Sequence, residues 1–330
     1  MNKFKFYFIL IFSGLLLFSC KKDDDSTEAV PLRDYATQYA TEKANIETYM
    51  RTHYIKSITD APGSTSDMNI EIDTLLASNT TAVSLWYNTA KDSIKKDFND
   101  ITYTMYFLKL RTGDATQDAP SRVDRVLAAY DGSYLTSTNA MKRFEYTPFP
   151  TAYLGLDEAI LGWAEVFPKF NPGTSVSTPG EPTIYNNFGA GIMFIPSGLA
   201  YYNYATSTIP SYASLMFTFK FYKMQRADQD GDGILSIDED LNHNGIFTDD
   251  DTDADGIPNY ADADDDGDGT GTRAETKIPN SVPAAYYPYS GALVDDPATT
   301  TIDESLGVPS CSGDFKTDTR LRKYLDPECH

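Results

Sequence analysis

The sequence predicts an α+β fold, an antiparallel sheet curled around one short helix, with a helical N-terminal extension and a repetitive acidic C-terminal extension. Three observations predict it. Segments rich in β-branched and aromatic residues precede, flank and follow a single short amphipathic helix, the arrangement of an antiparallel sheet packed on a helix. Tyr35, Tyr39, Ile46 and Met50 recur at near-helical spacing between Asp34 and Ile55. Asp228 to Asp268 holds 15 Asp and one Glu with no Lys or Arg.

At 330 residues the chain has room for about two domains of ordinary size, and its 41% hydrophobic and 13% aromatic content is enough for a core. One globular unit with extensions fits best. The formal charge is −21, and 16 of those charges fall in the acidic run. The remainder is nearly balanced, which argues against nucleic-acid binding, since that needs a basic footprint to displace counterions.

The amino terminus reads as a targeting segment. Lys3 and Lys5 precede an apolar run from Phe6 to Phe18, and at about 13 residues the run is too short to span a membrane. Leu17-Phe18-Ser19-Cys20 resembles the lipobox of bacterial lipoproteins. The resemblance implies a signal peptide over 1–19 and acylation of Cys20, with several acyl chains giving a firm anchor where one alone is marginal. A cleaved secretory protein without the anchor is the alternative. Lys21-Lys22-Asp23-Asp24-Asp25 resembles the charged tag of surface-exported Bacteroidetes lipoproteins, or is a plain linker within a tether over 20–32. The expected location is extracytoplasmic, lipid-anchored to a bacterial outer membrane.

Residues 33–100 are expected to form the helical extension, and nothing between 56 and 100 points to a function. The sheet domain is expected over 101–226. Ile101 to Leu110 places Tyr103, Met105 and Phe107 on one side and Tyr106 and Leu108 on the other. Val123–Tyr130, Gly191–Ile195 and Leu215–Tyr222 are further strands. Leu156–Phe167 is the short helix, with Leu156, Ile160 and Trp163 on one face, and 171–189, rich in Pro, Gly, Asn and Tyr, reads as an insertion.

Leu154-Gly-Leu-Asp-Glu-Ala-Ile-Leu-Gly-Trp163, Phe194-Ile-Pro-Ser-Gly-Leu-Ala-Tyr201 and Ile209-Pro-Ser-Tyr-Ala-Ser-Leu-Met-Phe217 resemble, in order and spacing, segments of the FKBP-type peptidyl-prolyl cis-trans isomerases. A Trp or Phe taken singly in such a segment is ordinarily core; the ordered set carries the resemblance, over roughly 101–222. It implies an aromatic cup for proline. Tyr130 follows Ala128-Ala129, Phe144-Glu145 takes the place of the family's Phe-Asp pair, and Ile160 and Trp163 fall on the helix positions whose backbone amide and indole face meet the bound proline, the indole at the floor. Tyr201 would bond a substrate carbonyl, Ile209 of the cup precedes the loop proline Pro210, and Phe217 closes the wall. Glu145 for Asp, Ala159 for a larger aliphatic, and the insertion are departures. The implied reaction needs no nucleophile, metal or other cofactor, because only amide resonance, a barrier of about 18–20 kcal/mol, opposes the rotation. Proline-containing polypeptides are the implied partners, and a non-catalytic surface binding module on the same fold is the rival reading. No Ser/His/Asp set competes: His53, His243 and His330 are scattered.

Residues 227–270 read as calcium-binding repeats. Asp228, Asp230 and Asp232 stand at positions 1, 3 and 5 of an EF-hand loop template, with Ile234 at 7, Ser236 at 9 and Glu239 at 12. The pattern continues as Asp240, Asn242, Asn244, Ile246 and Asp251, then Asp251, Asp253, Asp255, Ile257 and Asp262, then Asp262, Asp264 and Asp266 in a last, truncated repeat. Spacings of 11 to 12 residues leave no room for flanking helices. The array resembles thrombospondin type 3 repeats, which implies structural Ca²⁺; without the ion an acidic block of this kind is disordered. In the tail, 271–330, Cys311 and Cys329 make an even pair in an oxidising compartment and read as a disulfide, two free thiols being the alternative.

Overall fold

The computed structural model describes residues 31–289, 307–315, 317 and 319–329. The expected signal peptide over 1–19, Cys20, residues 21–25 and His330 lie outside the described residues. Among the described residues no helix is long and apolar enough to cross a membrane.

Helix α1 (Tyr35–Thr52) buries Glu42, Ile46, Tyr49 and Met50, a stripe with the i, i+4, i+7 recurrence of an amphipathic helix. It ends where the sequence turns to His53-Tyr54-Ile55, and β1 (His53–Ile58) pairs with β2 (Ile70–Thr74) in a small antiparallel ribbon. β3 (Lys91–Phe98) already belongs to the main sheet, paired with β4 (Ile101–Arg111). The expected helical extension over 33–100 is therefore one helix followed by three strands. Lys-rich β3, on the sheet's edge, has five exposed and three half-buried positions in no regular alternation and none buried, so it carries no period-2 apolar signal.

The remaining elements are β5 (Arg125–Leu135), β6 (Met141–Thr147), β7 (Leu154–Gly155), α2 (Leu161–Val166), β8 (Thr174–Val176), β9 (Ile184–Asn186), β10 (Gly189–Ile195) and β11 (Leu215–Gln225). The seven-stranded sheet runs β3-β4-β10-β11-β5-β6, with β7 on β5, and every pairing is antiparallel. The fold is α+β. β8 and β9 make a separate hairpin within the expected insertion.

Both faces of the sheet are covered. Tyr103, Met105 and Phe107 of β4 pack with Trp163, Val166, Phe167 and Phe217 in the main core around α2. Tyr106 and Leu108 point the other way and pack with Ile192, Phe194 and Met216 beneath Ile46, Tyr49 and Met50 of α1. Alternation along one strand thus feeds two cores. α2 is shorter than its apolar periodicity predicts because the chain from Leu156 to Ile160 is a turn, and Leu156 is buried there at 1% exposure. Gly162 lets α2 press onto β10: a Cβ at that position would lie 2.5 Å from the Ile195 side chain.

Beyond β11 the chain is tied back to the sheet domain. Asp124, fully buried, accepts from Arg226 at 2.5 Å and from the Ala227 amide at 3.1 Å. The tail builds a small core of its own, in which Ile278, Tyr287, Val308, Tyr324 and Leu325 enclose Ile234 from the acidic run. Cys311 and Cys329 are joined as a disulfide with their Cα atoms 5.4 Å apart.

Candidate functional site

An open cup of about 260 Å³ lies over the main core. β5 supplies Tyr130, β6 supplies Phe144 and Glu145, and the turn into α2 supplies Glu158, Ala159 and Ile160. Trp163 of α2, Tyr201 from the loop after β10, and Phe217 of β11 complete it. Strand alternation accounts for the selection. Phe217 and Phe219 face the helix side of β11, and Phe217 lies at the end that is not roofed over.

Trp163 is 4% exposed and forms the floor. Tyr130 and Phe217 meet it edge-on at 5.0 and 5.2 Å between ring centres, and Phe144 meets Phe217 edge-on at 5.7 Å. These edge-to-face contacts fix the rings against one another. The arrangement needs Gly132: a Cβ there would lie 2.7 Å from Phe144 and 2.9 Å from Phe217.

The Tyr130 hydroxyl donates to Glu145 Oε1 at 2.7 Å. Burial, with the neighbouring carboxylate adding to it, pushes the Tyr130 phenol up to about 12. Burial also raises Tyr201, which is 39% exposed at the mouth. Both phenols therefore stay protonated at neutral pH. The Trp163 indole nitrogen is buried without a hydrogen-bond partner among the described residues. The cup can exclude water from a small apolar ring and offer hydroxyl donors at its edge.

Of the eight residues the sequence points to, seven line this cup, and Ile209 does not. Ile209 is 4% exposed in the core behind the wall, its amide donating to Thr206 Oγ1 at 2.9 Å. Its side chain packs into the main core and is not among those lining the cup. Tyr153 and Leu154, both over a third exposed, form a rim that sequence reasoning missed, because a two-residue strand has no periodicity to read. Ala159 lines the cup, and no residue of the 171–189 insertion does.

The acidic run forms four successive loops with a repeated hydrogen-bond pattern. In each, the position-7 amide donates to the position-5 side chain: Ile234 to Asp232 at 2.7 Å, Ile246 to Asn244 at 2.6 Å, Ile257 to Asp255 at 2.7 Å, and Thr270 to Asp268 at 2.6 Å. The position-6 amide reaches the position-1 carboxylate in the last three: Gly245 to Asp240, Gly256 to Asp251 and Gly269 to Asp264. The fourth loop therefore starts at Asp264, not Asp262, and is complete, with Asp266, Asp268, Thr272 and Glu275 at positions 3, 5, 9 and 12. Asp262 is position 12 of the third loop alone. Position-9 side chains brace position-2 amides: Ser236 accepts from Gln229 at 3.1 Å, Asn259 from Thr252 at 2.9 Å, and Thr272 from Asp265 at 3.2 Å. Ser236 thus acts as a brace.

The donor set fits a hard cation. Carboxylate oxygens of Asp228, Asp230 and Asp232, of Asp251, Asp253 and Asp255, and of Asp264, Asp266 and Asp268 converge within 4.8 Å in each group. Asp230 Oδ2, Asp232 Oδ2, Asp251 Oδ1, Asp264 Oδ1, Asp266 Oδ2 and both oxygens of Glu239 and Glu275 are buried without a hydrogen-bond donor among the described residues. Burial and mutual repulsion push Glu239 up to about 11, Glu275 to about 8 and Asp230 to about 7. A bound cation would reverse that tendency and satisfy the oxygens together.

The second loop also touches the sheet domain. Arg122 donates to the Gly245 carbonyl and, at 2.8 Å, to Glu165 of α2, which is buried and also forms an ion pair with Lys96 at 2.8 Å.

Residues 229–301 match a family model described as BamM C-terminal. Among solved structures, the chain is similar to a peptidyl-prolyl cis-trans isomerase from Pseudomonas syringae pv. tomato, with 20% identity over 37% of this chain and 76% of that one and a TM-score of 0.29. It is similar to FkpA from Escherichia coli at 20% identity, over 42% of this chain and 53% of that one, with a TM-score of 0.30. The N-terminal domain of FKBP42 from Arabidopsis thaliana is 15% identical over 41% of this chain and 94% of that one, with a TM-score of 0.29. The chain spans about half the length of FkpA. No curated protein matches it.

Proposed function

We propose that this protein is a peptidyl-prolyl cis-trans isomerase of the FKBP type, carried on a calcium-ordered tail. The observation that supports it is the cup itself: a tryptophan floor met edge-on by Tyr130 and Phe217, open to solvent at Tyr201. The proline ring of an X-Pro segment stacks on Trp163 while Phe144 and Phe217 exclude water. Removing the imide from water weakens the hydrogen bonds that favour its planar, charge-separated form, and the twisted amide loses less by that transfer. Tyr201 then holds a neighbouring carbonyl. Only contacts that strengthen as the bond twists speed the reaction, so tight binding of the planar proline alone does not.

The loops at Asp228, Asp240, Asp251 and Asp264 hold Ca²⁺ in this reading. The ion neutralises the acidic run and orders it, and takes no part in isomerisation. The lipobox supports acylation at Cys20, hence a location outside the cytoplasm on a bacterial outer membrane, with exported proline-containing polypeptides as substrates.

Isomerisation of a proline-containing peptide, followed by a protease-coupled or exchange NMR assay, tests the catalytic reading. Acceleration that disappears when a macrolide proline mimic fills the cup supports it. A folded protein that binds such peptides without accelerating exchange is instead a binding module that uses the same cup.

A further inference from the structure

Asp265 stands outside the repeat template. It occupies position 2 of the fourth loop, where the other loops carry Gln229, Leu241 and Thr252. Gln229 and Leu241 are half-buried and Thr252 is exposed, whereas Asp265 is 1% exposed. Its Oδ2 accepts from the Thr272 hydroxyl at 3.2 Å, and its Oδ1 is buried with no donor among the described residues.

Two carboxylates of the first loop complete a group with it. One oxygen each of Asp232, Glu239 and Asp265 lies within 4.8 Å of the others. Asp232 is 2% and Glu239 1% exposed. Asp232 Oδ1 accepts from the Ile234 amide, which leaves Oδ2 without a donor, and both oxygens of Glu239 are in the same condition. Buried carboxylates are ordinarily paired or bound to metal. Two oxygens on opposite sides of a calcium ion, each about 2.3–2.6 Å from it, stand about 4.6–5.2 Å apart, so the group has the right size. Three carboxylates and no nitrogen or sulfur ligand select a hard divalent ion. A pocket this closed suits Ca²⁺ over Mg²⁺, which keeps several of its waters.

We propose that Asp232, Glu239 and Asp265 hold one calcium ion between the first and fourth loops, clasping the two ends of the acidic run. The inference rests on the calcium reading above and adds a ligand that no single loop supplies. It makes closure of the run one event: the first loop is completed by a residue 26 positions beyond its own last ligand, Glu239.

The test is native mass spectrometry of the chelator-stripped full chain titrated with CaCl₂, with hydrogen exchange read over residues 228–239. Asp265→Asn is expected to remove one tightly held ion, or weaken it by about tenfold or more, and to raise exchange in the distant first loop. Asp253→Asn, in the third loop, is expected to leave that exchange unchanged. Equal ion count and affinity in Asp265→Asn and wild type overturns the clasp while leaving the calcium reading intact. A wild type that binds no calcium overturns both. Should the variant unfold, anomalous diffraction from Tb³⁺ in crystals of the unmutated protein decides the matter. An ion bonded to an Asp265 oxygen supports the clasp, and an ion on the first loop without Asp265 overturns it.

Discussion

Glu42 and Ser197 are joined twice: the backbone amide of Ser197 donates to Glu42 Oε2 at 2.8 Å, and its hydroxyl donates to Oε1 of the same carboxylate. Both residues are buried, and the Ser197 carbonyl in turn accepts from the amides of Ala200 and Tyr202. α1 therefore anchors the loop that carries Tyr201. Removing a buried acceptor that serves charge-assisted bonds costs about 2–4 kcal/mol. Glu42→Ala is expected to lose that much in urea unfolding and to reduce activity in the variant that remains folded. A change under half a kcal/mol would refute the anchor.

Tyr201 and Phe217 separate two contributions to the cup. Tyr201→Phe removes one exposed hydroxyl, so stability is expected to hold while kcat/KM falls by roughly 2- to 12-fold, the value of a single hydrogen bond. Phe217→Ala opens the wall and is expected to abolish most activity, and it costs about 3–5 kcal/mol of stability. Peptide kinetics beside thermal unfolding distinguishes these outcomes.

Gly132→Ala should fill the cup from below. The added methyl meets Phe144 and Phe217 at under 3 Å, and overpacking of this kind costs about 1–3 kcal/mol. The expected signature is weakened peptide binding with the fold retained, read by Trp163 fluorescence. Undiminished binding would mean that the rings relax outward.

The register of the fourth loop is testable by point substitution. Glu275→Gln is expected to weaken one calcium ion, and Asp262→Asn to affect the third loop only. If the last repeat were truncated at Asp266, Glu275→Gln would leave the titration unchanged. Wild type, in turn, is expected to lose protease resistance over 228–275 when the ion is chelated.

The cup's hydroxyls set a pH expectation. Tyr130 is raised to about 12 and Tyr201 is raised as well, so neither titrates near neutrality. Substrate binding should show no tyrosine ionisation between about pH 7 and 9. The folded phenol holds its proton more tightly than the unfolded one. Its contribution to stability is therefore intact below about pH 10 and is lost as pH rises toward 12. A phenolate signal below pH 9 that Tyr130→Phe removes from the difference spectrum would contradict the burial of Tyr130.

What the sequence revealed follows from how locally each feature is encoded. β4 was readable because Tyr103, Met105 and Phe107 alternate strictly with Thr104, Tyr106 and Leu108, and both sets are apolar enough to be buried. β3 was not, since an edge strand of Lys, Asp and Ser resembles a loop. In the cup, Tyr130, Phe144, Trp163 and Phe217 stand out in ordered segments, whereas a motif position does not say which way the side chain of Ile209 turns. The start of the fourth loop is ambiguous in the carboxylate spacing alone, since Asp262-Ala-Asp264-Asp-Asp266 and Asp264-Asp-Asp266-Gly-Asp268 both satisfy it. Position 12 separates them, Arg273 in the first register and Glu275 in the second, and the amide bonds of Gly269 and Thr270 fit the second. Asp265 had no local signal at all, because its partners are 26 and 33 residues away.

The sheet clad on both faces has a practical consequence for anyone isolating the cup. A fragment trimmed to begin at Ile101, where the family likeness begins, would lose β3 from one edge and α1 from one face. It would leave Tyr106, Leu108, Ile192, Phe194 and Met216 open to water. A bare edge strand next to a contiguous apolar surface is a template for aggregation. The smallest soluble piece that keeps the cup therefore starts at Tyr35, and earlier truncations that precipitate would say nothing about whether the cup binds proline.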